Sequence, residues 1–253
     1  MKMLELDKLF EIELINCYNC EKIPMLGHLP LLKYLKLKGL TNIRSIEFSF
    51  YGVSYCSSTS RNDGQETRVS FPSLKSLIIE EMPNLTEWAN AQMSGVQVFP
   101  CLEILKIENC CKLTTAPNLF PCLKKLHIEN MDSDLPLSNI ISSSNLTSLV
   151  RLSIRGILEL TCLVGDLFYK NQNLAYLDLW ACENLAYIPH LWGCGTFLKR
   201  LEITFCDELM ELPDDLGSLD SLEALDISFC NNLQLIPYPS GQKGLSSLRR
   251  LNI

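Results

Sequence analysis

Apolar and polar positions alternate in ten short blocks along the chain: LFEIEL (9–14), LKYLKL (32–37), LKSLII (74–79), LEILKI (102–107), LKKLHI (123–128), LVRLSI (149–154), LAYLDL (174–179), LKRLEI (198–203), LEALDI (222–227) and LRRLNI (248–253). In each block the fourth and sixth positions are apolar and the third and fifth mostly polar. That is the period of a strand with one buried face. The central apolar residues recur at steps of 21 to 28 residues, with one step of 42. Such spacings are too long for hairpins and repeat one connection type. They predict parallel neighbours about 4.8 Å apart, stacked into a curved solenoid.

The stretches after the blocks, such as CDELMELP (206–213) and CNNLQLIP (230–237), carry a proline and closely spaced apolar residues. They predict an extended or 3-10 convex side rather than long helices. The best helical candidate is GDLFYKNQNL (165–174). The fold class expected is therefore α/β, a leucine-rich-repeat solenoid or horseshoe, with its curved parallel β-sheet on the concave side. Residues 1–253 are expected to form one repeat domain. The 42-residue step holds a Ser- and Gly-rich polar segment at 49–70, read as a surface loop inserted into one repeat, either tolerated or used for binding. Neither end shows a polar cap. The chain is expected to be part of a larger solenoid, with Leu9, Ile12 and Leu14 exposed at one end and Leu248, Leu251 and Ile253 at the other.

Three residues beyond each block's last apolar position stand Cys17, Leu40, Met82, Cys110, Met131, Ile157, Cys182, Cys206 and Cys230. Burial is what those residue types share, so the cysteines are read as small core side chains. Zinc would need four converging ligands, and these are spread along the solenoid. Stacked neighbours would hold their Cβ atoms about 4.8 Å apart, wider than a disulfide takes. Reduced thiols are expected. By strand parity Phe205 and Phe229 are also read as core.

Net charge is −7, so no general basic field exists to hold nucleic acid. No apolar run approaches a membrane span, and the acidic start MKMLELDKLFEIEL does not suit a signal peptide. A cytoplasmic protein is expected. His28, His127 and His190 lie in different repeats, and His127 is read as a solvated outward residue. No G-x-x-x-x-G-K-S/T loop occurs. Neither catalysis, a cofactor nor a metal is expected.

What remains is a polar concave face, formed by the odd strand positions, about 43 Å long for ten strands. Glu80, Glu108 and Glu129 hold its seventh position in three consecutive repeats, and Asp178, Glu202 and Asp226 hold the fifth in three more. They form either a solvated acidic surface screened by Arg151, Arg200 and Arg250 or a recognition surface. Tyr176, Asp178 and Trp180 share one face of one strand, and Tyr and Trp are enriched in binding hot spots. The candidate protein-binding residues are Glu80, Glu108, Glu129, Tyr176, Asp178, Trp180, Arg200, Glu202 and Asp226.

IELINCYNCEKIPMLGHLPLLKYLKLKGL (12–40), FPSLKSLIIEEMPNLTEW (71–88) and FPCLEILKIENCCKL (99–113) resemble the repeat region of plant intracellular nucleotide-binding leucine-rich-repeat disease resistance proteins, most closely the coiled-coil class. The resemblance implies a module that senses a pathogen effector or a guarded host protein. It also implies restraint of a nucleotide-binding switch domain, which this sequence lacks. Two other readings stay open: the substrate-recruiting repeats of an F-box ubiquitin ligase adaptor, and a secreted receptor ectodomain.

Overall fold

The computed structural model describes residues 6–52, 68–90, 96–144, 146–234 and 245–253. Ten parallel strands form one sheet in chain order. They are β1 (Glu11–Ile15), β2 (Tyr34–Lys38), β3 (Ser76–Glu80), β4 (Ile104–Glu108), β5 (Lys125–Met131), β6 (Arg151–Ile157), β7 (Tyr176–Trp180), β8 (Arg200–Thr204), β9 (Ala224–Ser228) and β10 (Arg250–Asn252). Every alternating block in the sequence is one of these strands. The register is strict: Leu35 pairs with Leu77, Leu77 with Leu105 and Leu105 with Leu126, and so on to Leu225 and Leu251. The fourth and sixth positions thus form two continuous apolar rows beneath the sheet, buried from β2 to β9. Each such Leu or Ile gains about 1.5–3 kcal/mol from burial, which is why the period-two signal holds in every repeat. At the ends Ile12, Leu14 and Leu248 are half-buried, and Leu251 and Ile253 exposed.

Each strand ends in the same backbone device. Counting from the first leucine of each block, position eight takes a positive φ of 50–65° in nine repeats: Asn16, Gly39, Glu81, Asn109, Asn130, Gly156, Ala181, Phe205 and Phe229. The chain turns inward there, and position nine drops into the core. At position nine the thiols of Cys182, Cys206 and Cys230 each reach two carbonyls, one in the same repeat and one at position six of the repeat before. Cys110 does the same, at 3.5 Å from Glu108 O and 4.0 Å from Ile79 O. Cys110, Cys182 and Cys206 are core side chains, and Cys17 and Cys230 pack half-buried against the core. All but Cys17 also act as weak donors that staple one repeat to the next.

The same turn overturns the reading of Phe205 and Phe229 as core. Strand alternation stops at position seven, and the left-handed residue throws its side chain outward. Phe205 is 42% and Phe229 64% exposed.

On the convex side two strand pairs are too short to leave a mark in the sequence pattern: Ser45–Ile46 with Glu87–Trp88, and Arg68–Ser70 with Val96–Val98. Phe71, Phe99 and Phe120, from three FP dipeptides, stack into a buried spine with centroids 5.1 and 5.7 Å apart. Phe50 and Tyr51 join it, and the Tyr51 hydroxyl donates to Ala89 O at 2.6 Å. The segment 49–70 is therefore not all surface loop. Its ends are built into the core, and residues 53–67 lie outside the described residues. Gly27 permits this, since a Cβ there would lie 2.2 Å from Tyr51 O.

Helix is scarce, as the prolines imply. The expected helix at 165–174 shortens to α2 (Leu167–Lys170). It stops at Asn171, whose buried side chain accepts from Leu149 N at 3.1 Å and donates to Leu167 O at 3.0 Å. An unexpected helix, α1 (Leu135–Ile141), comes earlier. Pro136 suits its first turn, and Leu137, Ile140 and Ile141 are buried in helical spacing.

Candidate functional site

The concave face is built from strand positions three, five and seven, and its chemistry changes along the solenoid. At β2–β5 it is a lysine–glutamate lattice. Glu80, Glu108 and Glu129 are neighbours in register, as their spacing implies. They are not a free acidic ladder, however. Glu80 is only 7% exposed, and Lys106, Lys36 and Lys38 approach its carboxylate at 2.8, 3.0 and 3.8 Å. Burial works against its charge, but the Lys106 and Lys36 ammonium groups prevail and hold the carboxyl below the usual glutamate range. Lys106 also contacts Glu108. The cations alternate with the acids, so the repulsion expected from like charges on adjacent strands is cancelled.

Glu129 pairs instead with His127, Nε2 to carboxylate 2.9 Å. His127 is not the solvated residue that its position suggests. It is half-buried, its Nδ1 lies 3.0 Å from Ser153 Oγ, and burial holds its imidazole below the ordinary histidine value against the pull of Glu129. Ser153, His127 and Glu129 thus sit in the order of a hydrolytic triad. Ser153 donates to Asp178 at 2.9 Å, though, and the backbone of β5 and β6 is consumed in strand pairing. Among the described residues, the paired amides of β5 and β6 are therefore not free to hold an oxyanion beside Ser153. The donor atoms of Glu108, His127 and Glu129 lie within 4.8 Å of one another, close enough for a metal ion. The Lys106 ammonium already supplies positive charge at Glu108.

The middle of the face, over β4–β8, is a shallow concavity of about 420 Å³. Lys106, Lys125, Arg151, Arg155 and Arg200 line it against two acids, Asp178 and Glu202. The screening arrangement expected from sequence is only partly realised. Arg200 reaches Glu202 at 3.4 Å, but Arg151 lies over the Tyr176 ring, 4.4 Å from its centroid. It is Arg155 that pairs with Asp178, at 2.7 Å. Among the described residues no carboxylate pairs with Lys125, Arg151 or Arg250.

Beyond the concavity the face becomes acidic and aromatic. Asp178, Glu202 and Asp226 run across β7, β8 and β9 in register. Asp226 is bonded to Ser228 and Asn252, not to a cation. Tyr176 is half-buried beneath Arg151, and Trp180 is 39% exposed at the end of β7. Phe205 and Phe229 continue from Trp180 along the outside of the sheet.

The structure thus brings the acid row, Tyr176, Trp180 and Arg200 together on one surface, holds Glu80 and Glu108 apart in the lysine lattice, and links Glu129 to Asp178 through His127 and Ser153. Sequence reasoning placed Arg151 on the face as a screen of the acidic row but missed Lys125 and Arg155. The signal was present: Lys125, Arg151, Arg200 and Arg250 all stand at the third strand position. Among the described residues, no helix is long and apolar enough to cross a membrane.

Comparison with known proteins agrees with this architecture. Residues 2–122 match the family described as plant disease resistance protein RPS2-like, leucine-rich repeats. The chain is 33% identical over 103 residues to a disease resistance RPP13-like protein of Arabidopsis thaliana, covering 41% of this chain and 9% of that one. It is 29% identical over 185 residues to disease resistance protein RGA2 of Solanum bulbocastanum, covering 73% of this chain and 15% of that one. The chain therefore spans only a small part of the length of these relatives. Among solved structures it is similar to the leucine-rich repeat domain of the type III effector XopL, with a TM-score of 0.56, 23% identity and coverage of 98% and 69% of the two chains. That likeness shows the fold alone. With its parallel solenoid and these similarities, the chain has the leucine-rich-repeat fold, and its N-terminal half resembles the repeats of plant disease resistance proteins.

Proposed function

We propose that this chain is the sensing region of an intracellular plant immune receptor, with residues 1–253 acting as one repeat domain. Its concave face engages a pathogen effector, or the host protein that an effector alters. The same repeats hold a neighbouring nucleotide-binding switch domain in its resting state. It acts in the cytoplasm, by binding, without catalysis or a cofactor of its own.

The observation that carries this reading is the concave face itself. From β2 to β9 its strands pair on both sides, while its side chains vary from a neutralised lattice to a cationic concavity to an acidic and aromatic strip. A rigid frame with varied outward groups suits recognition of a protein surface, where aromatic and arginine anchors dominate affinity.

The restraint part of the proposal is tested on the transcript. Sequencing the full transcript that encodes this chain should find an in-frame G-x-x-x-x-G-K-S/T loop upstream of the repeats. Co-expressing the chain with that upstream segment should then suppress the cell death that the segment triggers alone. A full-length transcript without such a loop, or a segment that the repeats fail to suppress, overturns the restraint.

A further inference from the structure

Trp180, Phe205 and Phe229, on three consecutive repeats, form an exposed aromatic ladder along the C-terminal ends of β7, β8 and β9. Trp180 meets Phe205 edge to face at 6.0 Å, and Phe205 stacks on Phe229 at 4.6 Å with planes 9° apart. Both phenylalanines occupy position eight, with φ of 58° and 60°. The other repeats place Asn, Gly, Glu or Ala at this left-handed position, and a bulky L residue is disfavoured there. Phe71 and Phe99 share that backbone conformation but are wholly buried, so core packing offsets their strain. Phe205 and Phe229 have no such compensation. A strained residue kept on the surface points to a use of that surface.

The charges around the ladder indicate which surface would meet it. On its inner side runs the row Asp178, Glu202 and Asp226. Two residues along the chain from Ala181 and from Phe205 stand Glu183 and Asp207. Among the described residues no cation pairs with Glu183, Asp207 or Asp226. Asp207 is bonded to Asn231 instead. Arg155, the register neighbour of Trp180, is held by Asp178. Aromatic groups bordered by unneutralised carboxylates attract ammonium and guanidinium groups and repel acidic surfaces.

We propose that the ladder of Trp180, Phe205 and Phe229 is a docking strip for a lysine- or arginine-rich segment of a partner protein, whose cations lie against the rings and pair with Asp207 and Asp226. The proposal rests on the reading of this face as a protein-recognition surface and names the partner chemistry of one end of it.

The test uses the whole chain and two short labelled peptides, one of alternating arginine and glycine, the other of alternating glutamate and glycine, followed by fluorescence anisotropy. The arginine peptide should bind, more weakly as salt rises, and the glutamate peptide should not. Phe205→Asn with Phe229→Asn should weaken the arginine peptide about tenfold or more, while the melting temperature stays level or rises because asparagine accepts the left-handed backbone. Asp207→Asn with Asp226→Asn should weaken it with the rings intact. Equal binding of both peptides, no binding of the arginine peptide, or undiminished affinity in the phenylalanine variant overturns the proposal. These peptide results do not depend on the immune role or on Tyr176 and the central concavity, so failure here is distinct from failure of the broader reading.

Discussion

The Lys106 ammonium lies 2.8 Å from the Glu80 carboxylate on the neighbouring strand, and Glu80 is almost wholly buried. An acid that reads as part of a binding surface is instead a structural tie among β2, β3 and β4, through Lys36, Lys38 and Lys106.

The first prediction follows from that tie. The folded state holds the Glu80 carboxyl below the usual range, whereas the unfolded chain does not. The tie therefore stabilises at and above neutral pH, and its contribution is lost as pH falls through the glutamate range and below. Glu80→Gln should cost about 1–3 kcal/mol at neutral pH, because the lysines lose their shared acceptor. Urea melts from pH 7 down to pH 3 should show the gap between the two proteins closing with acid. A gap independent of pH would show that the glutamate acts by shape alone.

Asn171 is the second case. Its buried amide satisfies Leu149 N and Leu167 O, joining the stretch after α2 to the chain just before β6. Asn171→Leu keeps the branched shape, adds some bulk and leaves the Leu149 N–H without its acceptor, so a loss of about 2 kcal/mol or more is expected. Amide exchange at Leu149 should accelerate in the variant. Unchanged exchange there would mean that the side chain merely fills space.

Thiol reactivity gives a third prediction. Burial pushes the Cys110 and Cys194 thiols up to about 12 and Cys182 up to about 11, so little thiolate exists at neutral pH. Cys20, Cys101, Cys122 and Cys162 are exposed. Iodoacetamide on the native protein should modify those four early, along with half-buried Cys230, whose thiol the contact with Cys206 lowers to about 7. It should reach Cys110, Cys182, Cys194 and Cys206 only on unfolding. All twelve cysteines of the chain should titrate as thiols after denaturation without reductant. Early labelling of Cys182 or Cys206 would show that the repeats open far more easily than a continuous core allows.

The ten strands and their shared register were legible because burial acts identically on every repeat: one misplaced leucine would flip a side chain to solvent. The cysteine positions were legible for the same reason. What escaped was whatever depends on backbone geometry past the strand. Phe205 and Phe229 read as core because period-two parity was extended one residue too far, into a left-handed position. Glu80 read as surface because its parity was right but its burial under three lysines is a property of neighbouring strands. The spine of Phe71, Phe99 and Phe120 was open to view in three FP dipeptides, each three residues before a block. Helix α1 is short, and its apolar residues overlap the strand-like pattern around it, so period alone could not separate them.

The most direct measurement of the account compares two faces of the solenoid in leaves, within the full protein that its transcript encodes. Tyr176→Ala with Arg200→Ala alters the centre of the concave face, on residues paired across β7 and β8. Tyr169→Ala with Trp192→Ala removes an exposed ring pair, 5.4 Å apart, on the connecting side. Both doubles should stay within about 1 kcal/mol of the parent per site, since the substituted groups are at the surface. At matched protein level, the concave variant should change cell death, by losing the response to pathogen challenge or by firing without one, and the connecting-side variant should behave as the parent. A normal response from the concave variant, with the response lost from the connecting-side variant, would contradict recognition through the sheet.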